Sequence, residues 1–258
     1  MNFTQASEIT TTDAGLRWQV PDGWQQGRGA FGGLVLATLL RAIERAEPDG
    51  ARSVRALTGD LCGPVLPGPA ELVVEVLRRG NNLSNIDARL VQDGQVQARA
   101  SAVLSAPKAA ATLRRPPQAP QAPAWRDLPD LGLGPPEGPA FAPNFEYRSA
   151  ITFETADGSG TLGWLRLRRP PATMDAAAVV AMLDAWWPAI FSGGARPMAT
   201  VSFTAEILAA PADLAPDAPL LYRGRVIALH EGFCVEFREL WHQHRLVAMN
   251  QQTFAILR

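Results

Sequence analysis

One order of elements recurs twice along this chain, and it restricts the fold more than any other feature. The first pass opens with an apolar helical pattern from Phe31 to Ala46. Strand-like runs follow at Val54 to Leu61, Ala70 to Arg79, Leu83 to Val91 and Gln95 to Ser105. In Ala70 to Arg79, Leu72, Val74 and Val76 alternate with Val73, Glu75 and Leu77, the period of a pleated strand. Between the runs stand Gly63-Pro64-Val65-Leu66-Pro67-Gly68-Pro69, Gly80-Asn81-Asn82 and Gln92-Asp93-Gly94. The last is a hairpin signal, because Asp and Gly tolerate positive φ. A second helix is expected over 175–190, with Ala176, Val179, Val180, Leu183 and Trp187 at helical spacing. After Gly193-Gly194 come runs at Thr200 to Leu208, Leu220 to Leu229, Phe233 to Trp241 and Leu246 to Leu257.

A helix followed by an antiparallel meander is an α+β pattern. Its repetition predicts a duplicated unit, with two unrelated α+β domains as the alternative. Duplication predicts two helices side by side and the two sheets joined edge to edge into one long curved sheet, which pairs edges otherwise open to aggregation. Residues 106–143 break the composition with nine prolines between Pro116 and Pro143. That stretch reads as an extended linker, pinned by Trp125, Leu128 and Leu131. The expected organisation is an N-terminal unit over 1–107, a Pro-rich linker over 108–143 and a C-terminal unit over 144–258.

Composition excludes several classes. With 258 residues, 47% hydrophobic and 19% charged, the chain has the balance of an ordinary globular protein. A formal net charge of -1 gives no electrostatic footprint for nucleic acid. The start Met1-Asn2-Phe3-Thr4-Gln5 lacks the basic and apolar regions of a signal peptide, and no apolar run spans a bilayer. Two cysteines, Cys62 and Cys234, make no disulfide framework, so a cytoplasmic location is expected. His230, His242 and His244 are the only histidines, and two on one strand face make no zinc site without a third ligand. No metal and no cofactor are expected.

The stretch Gly27-Arg28-Gly29-Ala30-Phe31-Gly32-Gly33 spells G-x-G-x-x-G, with Glu47 and Asp49 near the distance of a ribose-binding acid. A dinucleotide fold needs a strand leading straight into the motif and βαβ alternation after it. Here Pro21-Asp22-Gly23 breaks the approach and hairpins follow. The glycines instead leave amides exposed at a helix start, or allow close packing of helix on sheet; sequence does not separate the two. No G-x-S-x-G occurs, and Gly59-Asp60-Leu61-Cys62-Gly63 has its Cys one place too late.

With these residues in view, the chain resembles the double hot-dog acyl-CoA thioesterases of the thioesterase II type along nearly its whole length. Gly29 to Ala37 is similar to the start of that family's first helix. Pro64 to Pro69 and Leu77 to Ser84 are similar to its first meander. In the second half Leu183-Asp184-Ala185-Trp186-Trp187-Pro188, Met198-Ala199-Thr200 and Leu246-Val247-Ala248 with Gln252 resemble the positions of its active site. The resemblance implies hydrolysis of a fatty or other acyl-CoA thioester, without a covalent intermediate, by water that an Asp, a Thr and a Gln orient. Those roles fall to Asp184, Thr200 and Gln252. Two departures stand out: Ser202 and Phe203 replace an acidic residue and His, and His242-Gln243-His244 replaces an Asp-Gly hairpin.

The residues themselves bear this reading. Asp184 shares a helical stripe with Val180 and Trp187, where desolvation raises carboxylate basicity; a purely structural Asp is the alternative. Thr200 opens a strand and can bond a water. Gln252 interrupts an apolar strand with Asn250, Gln251 and Thr253, and either Gln251 or Gln252 faces inward. Amides of Gly32 and Gly33 would stabilise an oxyanion. Phe31, Trp186, Trp187 and Phe191 supply candidates for an acyl tunnel. Arg78-Arg79 and Arg168-Arg169 offer charge for CoA phosphates.

The expected partner is an acyl-CoA or acyl-carrier thioester, with a second copy of the chain covering free edges in a homodimer or larger homo-oligomer. Two other functions compete. A hot-dog dehydratase would need a His base in the first unit, which holds none. A non-catalytic acyl-thioester binding or assembly protein would draw on Ser202 and Phe203.

Overall fold

A computed structural model describes residues 1–47, 50, 52–108, 113–152, 155–193 and 197–257; Asp49 and Gly194 lie outside them. In chain order the elements are α1 (Phe3–Ala6), β1 (Ile9–Thr12), β2 (Gly15–Val20), β3 (Gln25–Gln26), β4 (Gly29–Ala30), α2 (Gly32–Arg45), β5 (Ser53–Leu61), β6 (Gly68–Arg79), β7 (Leu83–Gln92) and β8 (Gln95–Ser105). After the Pro-rich segment come β9 (Phe145–Ser149), β10 (Gly160–Leu167), α3 (Ala176–Asp184), β11 (Met198–Ile207), β12 (Leu220–His230), β13 (Phe233–His242) and β14 (Arg245–Ile256).

Twelve of the strands form one antiparallel sheet in the order β1-β2-β6-β7-β8-β5-β11-β14-β13-β12-β10-β9. Outward from the central seam, both halves therefore run through the same succession. The seam pairs β5 with β11 from Ser202 opposite Asp60 to Glu206 opposite Ala56. It gives the inner strand of each half a partner for its backbone groups. The duplicated meander, the double hot-dog, is thus one continuous sheet around two helices.

Those helices pack antiparallel. Arg41 near the end of α2 pairs with Asp175 at the start of α3 at 2.9 Å, while Gly33 lies against the carbonyl of Ala181. Every residue of α3 is buried, as is all of α2 except its polar stripe at Arg41, Glu44 and Arg45. One hydrophobic core runs through both halves, from Trp18 and Leu39 to Val180 and Leu240.

Strands β7–β8 and β13–β14 share a register. Each hairpin turns on two residues, Asp93-Gly94 and Gln243-His244, with Asp93 and Gln243 at φ 50° and 55°. Gln92 pairs with Gln95 and His242 with Arg245. Both ladders bulge at the same step, Leu90/Val91 in one and Leu240/Trp241 in the other. Position for position, Ile86, Ala88 and Ala102 correspond to Glu236, Arg238 and Gln252.

Three expectations need correction. The second helix does not run to 190: it ends at Asp184, followed by a 3₁₀ turn at Ala189–Gly193. Pro188 lacks the amide that would bond the Asp184 carbonyl, and its ring would collide with that carbonyl. Trp187 is therefore on a loop, off the Val180–Asp184 stripe. Strands β1, β2, β9 and β10 precede the helices, where sequence reading placed none. The Pro-rich segment is more than a connection, since it carries 3₁₀ turns at Trp125–Asp127 and Ala142–Asn144 and one wall of the cavity. Arg148 on β9 holds it, donating to the carbonyls of Trp125 and Leu128 at 3.1 and 2.8 Å with its guanidinium over the Trp125 ring.

Candidate active site

The site forms where the end of α3 meets the start of α2. Asp184 is the last residue of α3 and is buried. Its Oδ1 accepts a 2.5 Å hydrogen bond from Nε2 of Gln252 on β14. The same Nε2 donates to Oγ1 of Thr200 on β11 at 2.6 Å. Of the two candidate glutamines, Gln252 is the inward one, fully buried, and Gln251 is exposed. Asp184, Thr200 and Gln252 thus converge from three elements on one point. A bulge between Thr200 and Ser202 turns β11 there, and Phe203 packs in the core opposite Gln252.

Helix α2 reaches the same point. Its N-cap, Phe31, has no side chain able to cap, and the amides of Leu34 and Val35 both go to the Phe31 carbonyl. The Gly33 amide lies on the Asp184 side and favours the charged form of that carboxylate. Gly32 lines the cavity and Gly33 does not. The two glycines are also closely packed. A Cβ on Gly32 would lie 2.9 Å from Asp184 Oδ2, and one on Gly33 would lie 2.5 Å from the Phe31 ring.

Burial pushes the Asp184 carboxyl above its usual range; the Arg238 guanidinium, Gln252 and the Gly33 amide pull the other way. Arg238 on β13 was not anticipated. It is fully buried, with Nη1 3.9 Å from Asp184 Oδ1 and Nη2 3.0 Å from the equally buried Glu236. The sequence signal was a pair of charges two apart on the strand face that also carries Cys234 and Leu240.

A cavity of about 1020 Å³ opens beside this cluster, at the upper end of the range for small-molecule sites, roughly 300–1,000 Å³. Asp184 and Thr200 face it, along with Trp186, Trp187 and Phe191. The Pro-rich segment contributes Leu131, Leu133 and Phe141, none of them foreseen as lining. Phe31 does not line it. Its ring stacks on Phe141 at 4.0 Å and is fully buried, so it supports the wall from behind. Among the described residues Arg28 is the one basic side chain at the cavity. The expected phosphate pairs lie elsewhere: Arg79 binds Glu47 and the Ala46 carbonyl, Arg168 binds Asp130, and Arg169 binds the Met1 carbonyl. Glu47, paired by Arg52 and Arg79, takes no part in a nucleotide site.

Comparison with known families decides the affiliation. Residues 20–105 match the acyl-CoA thioesterase N-terminal domain and residues 113–256 the acyl-CoA thioesterase C-terminal domain. The chain belongs to the acyl-CoA thioesterase family. No curated protein matches this thioesterase. Solved structures share its fold. A hot-dog protein of unknown function from Alicyclobacillus acidocaldarius is 23% identical with a TM-score of 0.90, covering 99% of this chain and 98% of that one. The acyl-CoA thioesterase II TesB2 of Mycobacterium marinum is 18% identical with a TM-score of 0.80, over 99% and 98%. A tesB protein of Mycobacterium avium subs paratuberculosis is 18% identical with a TM-score of 0.82, over 99% and 98%. Among the described residues of this thioesterase, no helix is long and apolar enough to cross a membrane, and no group of three or more His, Cys, Asp or Glu is placed to hold a metal.

Proposed function

We propose that this thioesterase hydrolyses acyl-CoA by direct attack of a water that Asp184, Thr200 and Gln252 position. One observation carries the reading: a buried carboxylate, a hydroxyl and an amide joined within 2.6 Å at the wall of a large, mostly apolar-lined cavity. Gln252 has its Nε2 committed to both neighbours, which fixes their separation. Asp184 lines the cavity beside Thr200, and desolvation makes it a better base than an exposed one.

In the reaction, Asp184 takes a proton from the water as its oxygen bonds the thioester carbon. The carbonyl oxygen becomes an oxyanion beside the start of α2, where Gly32 lines the cavity and the helix dipole favours negative charge. The C–S bond then breaks, the thiolate receives the proton, and the free acid remains. Gly33, which does not line the cavity, acts on the base rather than the oxyanion by favouring the charged Asp184. Trp187, Phe191, Leu131 and Leu133 are placed to hold the acyl chain, and exposed Arg28 to meet a phosphate of CoA.

The test is thiol release from a panel of acyl-CoAs by wild type and Asp184→Asn. Each methylene buried in the tunnel is worth about 0.8 kcal/mol, so KM falls with chain length until the tunnel is full. The Asn variant retains the fold and loses at least about 10²-fold in kcat, as expected for a general base. Turnover near wild type in that variant rejects Asp184 as the base.

A further inference from the structure

Behind the cluster just described lies an ion pair with no counterpart in the first half. Arg238 and Glu236 are both fully buried on the inner face of β13. The corresponding positions of the first half, Ala88 and Ile86, are apolar and equally buried, and Ala102 stands where Gln252 does. The hot-dog unit therefore closes its core at this register without any charge. A buried ion pair is weak support for stability in any case, since desolvation offsets the attraction.

The contacts of the pair lead to Asp184. Arg238 donates through Nη1 to the Leu183 carbonyl at 3.3 Å, one residue before Asp184. Glu236 Oε1 accepts the Ala189 amide at 2.6 Å, just beyond the Trp186-Trp187-Pro188 loop. The two side chains thus bracket the segment that carries the carboxylate into the cavity. Their charges are shared unequally. Nε and Nη2 of Arg238 lie 3.1 and 3.0 Å from Glu236 Oε2, whereas Asp184 Oδ1 is 3.9 Å from Nη1. Glu236 takes most of the guanidinium's attraction and leaves Asp184 a fraction.

Resting on the assignment of Asp184 as base, we infer that Arg238 and Glu236 are positioning residues that act as an opposed pair on its protonation. Arg238 keeps the buried carboxylate ionised; Glu236 limits that pull so the carboxylate stays basic. The other groups facing Asp184 are Gln252 on β14, Thr200 on β11, the Gly33 amide on α2, and the phenols of Tyr147 on β9 and Tyr222 on β12. Burial pushes both phenols above their ordinary value, which keeps them neutral around neutral pH.

The pH profile of kcat/KM tests this, because a merely structural role would leave its acid limb in place. In Arg238→Gln the limb moves to higher pH by about one unit or more, the effect of losing an opposite charge at this range, so activity lost at pH 6 returns at pH 8–9. Arg238→Lys restores most of the wild-type limb. In Glu236→Gln the limb moves the other way, to lower pH. Where Arg238→Gln folds poorly, the Lys and Glu236 variants still carry the test, and thermal melts identify the folded ones. Lower kcat/KM at every pH with an unmoved limb overturns the inference. Should Asp184→Asn retain full activity, the fault lies with the base assignment itself; an inactive Asp184→Asn beside unmoved limbs removes only the role of the pair.

Discussion

Gly32→Ala and Gly33→Ala, one methyl group each on adjacent residues, separate the two readings that sequence left open for these glycines. At Gly32 the added Cβ would meet Leu61 Cδ1 at 2.7 Å and Asp184 Oδ2 at 2.9 Å. The Leu61 methyl is the end of a flexible side chain and gives way at small cost. The Asp184 carboxylate is held by Gln252 at 2.5 Å, and it must move by about half an ångström to restore ordinary contact. A 1 Å misplacement at a catalytic group costs about 10²-fold, and kcat is expected to fall by roughly 10-fold or more. Stability changes little, because alanine gains up to about 1 kcal/mol over glycine in a helix. At Gly33 the clash is with the core. The Cβ would lie 2.5 and 2.8 Å from the Phe31 ring and 3.0 Å from the Ala181 carbonyl. Phe31 is stacked on Phe141 and cannot retreat, so overpacking of about 1–3 kcal/mol lowers Tm by roughly 2–10 °C. Thiol-release kinetics and thermal melts on both variants read out the difference. A Gly32→Ala enzyme with wild-type kcat, or a Gly33→Ala enzyme with wild-type Tm, would refute the division of labour.

Two further outcomes are expected. Arg28→Ala raises KM for acyl-CoA several-fold but leaves hydrolysis of the corresponding acyl-pantetheine, which lacks the nucleotide phosphates, unchanged; steady-state kinetics with the two thioesters checks it. Glu44 is pushed up to about 7, first by burial and then by Asp175. An acid raised in the folded state loses stability as pH climbs from its unfolded value of 4.5 through 7, so Glu44→Gln gains on wild type over that window in thermal melts.

The strands that sequence reading placed fall within about two residues of the observed ones, because one face of each is buried and the alternation shows. Strand β10 escaped for the opposite reason. Its outward residues include Leu162 and Trp164, and the Trp164 indole donates to the Pro123 carbonyl of the segment that covers it. With apolar residues on both faces the period of two disappears. Strand β2 was readable in Leu16-Arg17-Trp18-Gln19-Val20, where Trp18 and Val20 are buried and Gln19 is exposed. The cavity wall from 131 to 142 left no trace, since loop residues show neither period. It is held by contacts distant in sequence, the Leu131 amide on the Tyr147 carbonyl and the Phe141 amide on the Gln25 carbonyl. Asp184, Thr200 and Gln252 come from three separate elements. Resemblance singled them out, and only the packing of α3 against β11 and β14 shows that they touch.

The duplication also explains why chemistry gathers at one end of the helix pair. The start of α3 is capped by its own Asp175, whose carboxylate accepts the Ala178 amide at 2.8 Å and binds Arg41 of α2. That end is closed upon itself. A side-chain cap of this kind is worth about 1 kcal/mol to a helix. The start of α2 forgoes one, with Phe31 at the N-cap, and leaves amides for Asp184 and the cavity. The sheet follows the same division. Gln252, Glu236 and Arg238 lie behind the open helix start, while Ala102, Ile86 and Ala88 fill the matching positions of the other half. An uncapped helix, a desolvated carboxylate and a buried ion pair each burden stability. Their concentration at one end of a duplicated fold, beside its large cavity, is what supports the proposal of a single catalytic site per chain.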